Sequence, residues 1–224
     1  MTTFTTQDLY GGAIKAIIPE RWLDASELRQ IPDHQELFLS PTTLSNLIFE
    51  INERVSEQVA LSALQANPNP DVLEFLGSGP QTVDKAAALY HLNDIRDGDA
   101  DTLRIVTPPQ QVPAQKIPRA NVYKGLAQIN SSTALRSGIA PSIGGAAAGS
   151  SADGGLVSSV SVHYLLVRLE EQETDVLVFF NVPHKEFDEK GDPTGLSREE
   201  ELATAIIDGL VERLEIVDCG LFGG

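Results

Sequence analysis

Leu156–Leu169, LVSSVSVHYLLVRL, and Thr174–Val182, TDVLVFFNV, are separated only by the four polar residues EEQE. Both runs are rich in valine, and the second adds two phenylalanines. Two long apolar runs with a short polar connection predict a β-hairpin. This hairpin is the strongest local signal in the chain, and the remaining elements are read around it.

Downstream, HKEFDEKGDPTG (184–195) is expected to be a charged loop. Ser197 with Glu200 then has the spacing of a capping box for a final helix. Its apolar residues Leu202, Ile206, Leu210 and Leu214 share one face. Upstream, SGIAPSIGGAAAGSSADGG (137–155) is a small-residue tract expected to be a flexible insertion. NVYKGLAQI (121–129) and TLRIVT (102–107) read as strands. Between them, 107–118 (TPPQQVPAQKIP) reads as a second flexible insertion, because prolines lack the donor a ladder needs. VDKAAALYHLN (83–93) reads as a helix.

The N-terminal part begins with a strand at Ala13–Pro19. Asp24 and Glu27 fit the cap of a short helix that Pro32 ends. Glu36–Leu39 follows as a second strand. Ser40 and Pro41 then have the chemistry of a cap and first helical residue. Leu44, Leu47, Ile48, Ile51 and Val55 form a stripe at helical spacing, leaving Glu50, Glu53, Arg54 and Glu57 on a solvated face. Regular βα alternation is absent. The expected fold class is therefore α+β, within the broad α/β group: one domain over residues 1–224, with a central, mostly antiparallel sheet flanked by helices.

Sixteen basic against thirty-two acidic residues give a formal net charge of −16. Such a field disfavours nucleic acid, whose binding relies on cations at phosphates, and favours basic protein partners. No apolar run approaches the ~20 residues of a membrane-spanning helix, so no membrane role is expected. No secretory signal is expected at MTTFTTQDLYGG. The single cysteine, Cys219, excludes an internal disulfide and fits a reducing compartment.

Catalytic and metal-binding patterns do not emerge. DGDAD (97–101) lacks the glycine and glutamate that an EF-hand loop places at its sixth and twelfth positions, where this chain has Thr102 and Pro108. IGGAAAG (143–149) lacks the Lys-Ser/Thr ending of a phosphate-binding loop. His34, His91, His163 and His184 are too scattered to suggest zinc. The expectation is no metal, no cofactor and no catalytic residue.

Four segments in order, LYGGAI (9–14), DASELRQIPDHQE (24–36), ETDVLVFFNVP (173–183) and VDCGLF (217–222), resemble the Mog family of Ran guanine-nucleotide release factors. LYGGAI and the D-x-S-x-L-R-x-x-P-D-x-Q-E pattern are the specific parts. The resemblance implies a compact fold of the Mog and PsbP type. It also implies binding to the small GTPase Ran, promotion of nucleotide release, a role in nuclear import, and residence in nucleus and cytoplasm.

In the resembling pattern the acidic pair is Asp33 and Glu36. The resemblance places it on the Ran-binding surface, with His34 and Gln35 as flanking contacts and Arg29 beside them. A monomer is expected, with a second Ran-binding protein as a further candidate partner. A ligand- or protein-binding module of PsbP type, unrelated to Ran, is the competing expectation. LYGGAI itself is assigned a structural role, its glycines permitting a tight turn into the first strand.

Overall fold

The computed structural model describes residues 3–25, 31–66, 76, 79, 81–96, 101–117, 119–131 and 158–222. The predicted hairpin forms as β8 (Ser158–Leu169) and β9 (Thr174–Pro183). Val176, Leu177, Val178, Phe179 and Phe180 are all buried, because both sheet faces are covered at this point. That double burial is why the sequence runs apolar without alternation.

Around the hairpin lie β3 (Leu23–Asp24), β4 (Gln35–Leu39), β5 (Asn46–Glu53), β6 (Thr102–Val112) and β7 (Asn121–Ser131). The order across the sheet is β3-β4-β5-β9-β8-β7-β6, with every pairing antiparallel. A second, three-stranded antiparallel sheet has the order β1-β2-β10, from β1 (Phe4–Leu9), β2 (Ile14–Pro19) and β10 (Glu215–Ile216).

Helices α1 (Glu57–Ala66) and α2 (Thr82–Asp94) pack on each other, and α2 reaches β6 and β7. Leu89 and Leu92 of α2 join Tyr123, Tyr164, Leu166 and Phe179 in one core. The opposite sheet face carries Phe38, Leu47, Phe49 and Phe180. It packs against β2 and the long helix α4 (Pro193–Arg213) through Ile14, Ile17, Ile206 and Leu210. Helix α3 (Lys185–Lys190) precedes α4.

Several sequence expectations are corrected. The segment expected as a long helix from Ser40 is a turn followed by β5. Ser40 does accept N–H groups of Thr42 and Thr43, at 3.4 and 3.2 Å, but they belong to the β4–β5 connection, which Ser40 N–H to Ser45 O closes. Capping chemistry and turn chemistry coincide over so few residues. In β5, Leu47 and Phe49 face one core while Ile48 faces the other, so burial on both sides mimics a helical stripe.

Prolines 108 and 109 lie within β6, so the ladder continues through the first part of 107–118. It does so at the sheet edge, with register shifts between Ile105 and Thr107 and between Thr107 and Gln110. Edge strands and bulges are where proline is tolerated. The tract 137–155 lies outside the described residues.

The final helix starts earlier than expected: Asp192 is its N-cap, accepting the Gly195 N–H at 2.8 Å, with Pro193 in the first turn. Ser197 is already inside it, donating to the Pro193 carbonyl. Residues 185–190, expected in a loop, form α3. Asp24 lies in β3 opposite Phe38, and the rest of the proposed helical turn at 26–30 lies outside the described residues.

Candidate functional site

The PDHQE stretch enters β4 through a turn closed by Gln35 N–H donating to the Pro32 carbonyl at 2.9 Å. Proline is rigid in φ, so the turn begins from a restricted backbone. Asp33 and His34 are exposed, whereas Gln35 and Glu36 are half-buried at the start of β4. The Asp33 carboxyl has no hydrogen bond or ion pair among the described residues. Arg29 lies outside them.

Alternation along β4 sends Gln35 and Glu36 to opposite faces of the sheet. Gln35 stands across from Glu50 on β5, and its side-chain amide donates to Glu50 Oε2 at 3.0 Å. Asn52 donates to Glu50 Oε1 at 2.8 Å. On the other face, Glu36 Oε1 accepts the backbone N–H of Tyr10 at 2.8 Å. The Tyr10 hydroxyl donates to the His34 carbonyl at 3.1 Å, and that carbonyl also accepts Ile51 N–H at 2.9 Å.

Tyr10 reaches these groups because the YGG turn is left-handed throughout, with φ of 50° at Tyr10, 66° at Gly11 and 95° at Gly12. Glycine adopts such angles without steric cost; tyrosine does so rarely. Burial pushes the Tyr10 hydroxyl pKa well up, and the nearby carboxylates of Glu36 and Glu50 add to this, so the group remains a donor.

The structure thus brings Asp33, His34, Gln35 and Glu36 together at one corner of the sheet. Two neighbours carry weight that the sequence reading did not assign. In the sequence, LYGGAI has only a structural role, and Glu50 falls on the solvated face of an expected helix. Recognising β5 as a strand is what would have set Glu50 beside Gln35.

Elsewhere, titratable groups engage one another. Arg168 on β8 donates to Asp175 Oδ1 at 2.9 Å, Asp84 Oδ1 at 2.7 Å and the Val55 carbonyl at 2.5 Å. His91 Nε2 lies 3.0 Å from Asp175 Oδ2. Burial opposes ionisation of Asp175, but hydrogen bonding from His91, the Arg168 charge and the Val55 N–H outweigh it and hold its pKa down.

Glu200 on α4 lies 2.5 Å from His163 Nε2 and 3.3 Å from His184 Nε2, which is also 2.8 Å from Ser161 Oγ. A serine beside a histidine invites a catalytic reading. However, the carboxylate approaches the same histidine nitrogen as the serine, not the opposite one that an orienting acid would hold. Among the described residues no cluster of His, Cys, Asp or Glu is arranged for a metal ion. No described helix is long and apolar enough to cross a membrane.

An antiparallel sheet covered by helices, with an acidic turn leading into β4, defines a small α+β protein. The model of the family described as Ran-interacting Mog1 protein matches residues 7–183, so the chain belongs to the Mog1 family. It is 29% identical over 220 residues to the Ran guanine nucleotide release factor of Danio rerio, covering 97% of this chain and all of the relative. It is 25% identical over 216 residues to the nuclear import protein MOG1 of Saccharomyces cerevisiae, covering 96% and 83%. The crystal structure of the Saccharomyces cerevisiae Ran-binding protein Mog1p shares the fold, with a TM-score of 0.59 at 20% identity over 99% of this chain and all of that one.

Proposed function

We propose that this chain binds the small GTPase Ran and promotes release of its guanine nucleotide, supporting nucleocytoplasmic transport as a regulator that performs no covalent step. The observation that carries the reading is the exposed Asp33 carboxyl, unengaged among the described residues, on a turn whose backbone is fixed by Pro32, Gln35 and Tyr10. Relatives matching nearly the whole chain that are named Ran guanine nucleotide release factor support the same partner. The net charge of −16 favours encounter with basic surfaces.

A GTPase holds its phosphates through a backbone loop, a lysine and Mg²⁺. A partner that prefers the nucleotide-free form weakens nucleotide binding by the same factor, because coupling is reciprocal. Asp33 and the oxygen of Glu36 not used by Tyr10 would accept charge-assisted hydrogen bonds from lysine or arginine. His34 and Gln35 flank them, and Arg29 belongs to the same proposed surface. The protein acts as a monomer in nucleus and cytoplasm, with a second Ran-binding protein as a candidate participant.

The test is release of a fluorescent guanine nucleotide from purified Ran, loaded with GTP or GDP, with wild type and with the D33K/E36K double reversal. Release by wild type alone supports partner, activity and site together. Normal release by the double reversal would sink the site assignment. The competing reading, a binding module unrelated to Ran, would use a cleft of about 320 Å³ on the α2 side of the sheet, floored by Ile48, Val162 and Phe179. It predicts no complex with Ran at all.

A further inference from the structure

Tyr10 touches the acidic turn at two points separated by the length of its own side chain. Its backbone N–H holds the Glu36 carboxylate, 26 residues away, and its hydroxyl holds the His34 carbonyl, 24 residues away. It does so from a backbone conformation that costs a non-glycine residue on the order of 1 kcal/mol or more. Such a conformation persists only where surrounding contacts over-determine it. Here those contacts are the two bonds to the turn, together with packing of the ring against the core formed by β2, α4 and the sheet.

We propose that Tyr10 is a positioning residue for partner recognition, fixing the 32–36 turn so that Asp33 and the outer oxygen of Glu36 are presented in one arrangement. This rests on the proposed role of that turn in binding Ran. A disordered turn would have to be ordered on association, and the free energy of doing so would be subtracted from affinity. Tyr10 removes that cost in advance. It also divides the work of Glu36: one carboxylate oxygen anchors the YGG turn and the other is left for the partner. Substituting Glu36 therefore removes an anchor as well as a contact, whereas substituting Asp33 removes a contact alone.

Tyr10→Phe is the informative variant. It keeps the ring and the N–H bond to Glu36, and the His34 carbonyl keeps its bond from Ile51 N–H, so no buried group is orphaned. Two measurements are made. In the free protein, amide hydrogen exchange at Gln35, the N–H that closes the turn, should rise several-fold in Y10F while the thermal midpoint stays close to wild type. In the complex, Y10F should weaken binding to Ran about 3- to 10-fold, the span of one net hydrogen bond.

The double variant Y10F/D33N separates positioning from contact. If Tyr10 acts through the turn, its penalty shrinks or disappears once Asp33 is neutral. An undiminished penalty in the double variant would mean that Tyr10 meets the partner itself, overturning the proposal. Unchanged exchange at Gln35 in Y10F would overturn it as well, without reference to any partner. If D33N alone leaves Ran binding intact, the failure lies in the functional reading of the turn. If D33N weakens binding and Y10F does not, only the positioning role falls.

Discussion

Arg168, Asp175 and Asp84 form one charged group, and Asp33 and Glu36 form another, yet their surroundings are opposite. Arg168 is 2% exposed and Asp175 fully buried, and Arg168 meets two carboxylates and a carbonyl. The network ties β8 and β9 to α2, where Asp84 and His91 stand seven residues apart on one helical face. Asp33 stands in water with its carboxyl unengaged among the described residues. The residue types are the same, so type alone does not mark a functional charge. Among the described residues, the buried carboxylates find their counter-charge in Arg168, and Asp33 finds none.

The comparison is sharpest where charge is buried. Arg168→Met should destabilise the fold by roughly 3–5 kcal/mol, because it leaves two buried carboxyl groups without their cation. Urea unfolding of the purified variant measures this, and a loss below about 1 kcal/mol would mean that the network is not a structural support.

Glu200 is intermediate, partly exposed and held by two histidines and a serine. Burial works against its ionisation, but hydrogen bonds from His163, His184 and Ser161 outweigh this and lower its pKa to about 2. A carboxyl depressed in the folded state contributes stability fully above its ordinary value near 4.5. That contribution is lost as pH falls from there toward 2. Glu200→Gln should cost on the order of 2 kcal/mol at pH 7, allowing for its partial exposure. The gap to wild type should close on acidification, so thermal midpoints from pH 7 to pH 3 that stay parallel would refute the assignment.

At the exposed end, Asp33→Asn should alter stability by less than about 0.5 kcal/mol. It should nonetheless weaken the Ran complex about 10- to 100-fold, as expected for a charge-assisted hydrogen bond. Calorimetric titration beside a thermal melt reads both quantities. A D33N protein that lost stability while binding normally would collapse the distinction between the two regions.

The parts of the fold that were legible in the sequence are those where one local cause dominates. The β8–β9 hairpin was visible because both faces are buried, and α2 because its alanines and leucines favour a helix. β5 was misread because burial on two faces gave Leu47, Ile48 and Ile51 a helical spacing. The α4 start was misplaced because Ser197 and Glu200 imitate a capping box, although Glu200 turns instead to His163 and His184. At the site, Asp33 and Glu36 stood out in the motif. Their connection to Tyr10 and Glu50 did not, since it depends on the β4–β5 register and on the placement of a turn 26 residues away.

The strand order also sets a timetable. β5 joins the main sheet through β9, where Asn46 pairs with Asn181. On a growing chain, the hairpin carrying the 32–36 turn must wait for some 130 further residues before that edge can be closed. Pairings so distant in sequence are slow to form, because the entropy of closing the loop is lost before any contact is gained. The corner around 32–36, whose own contacts to Tyr10 and Glu50 lie within the first fifty-one residues, can therefore form early, while its docking onto the main sheet waits for β9.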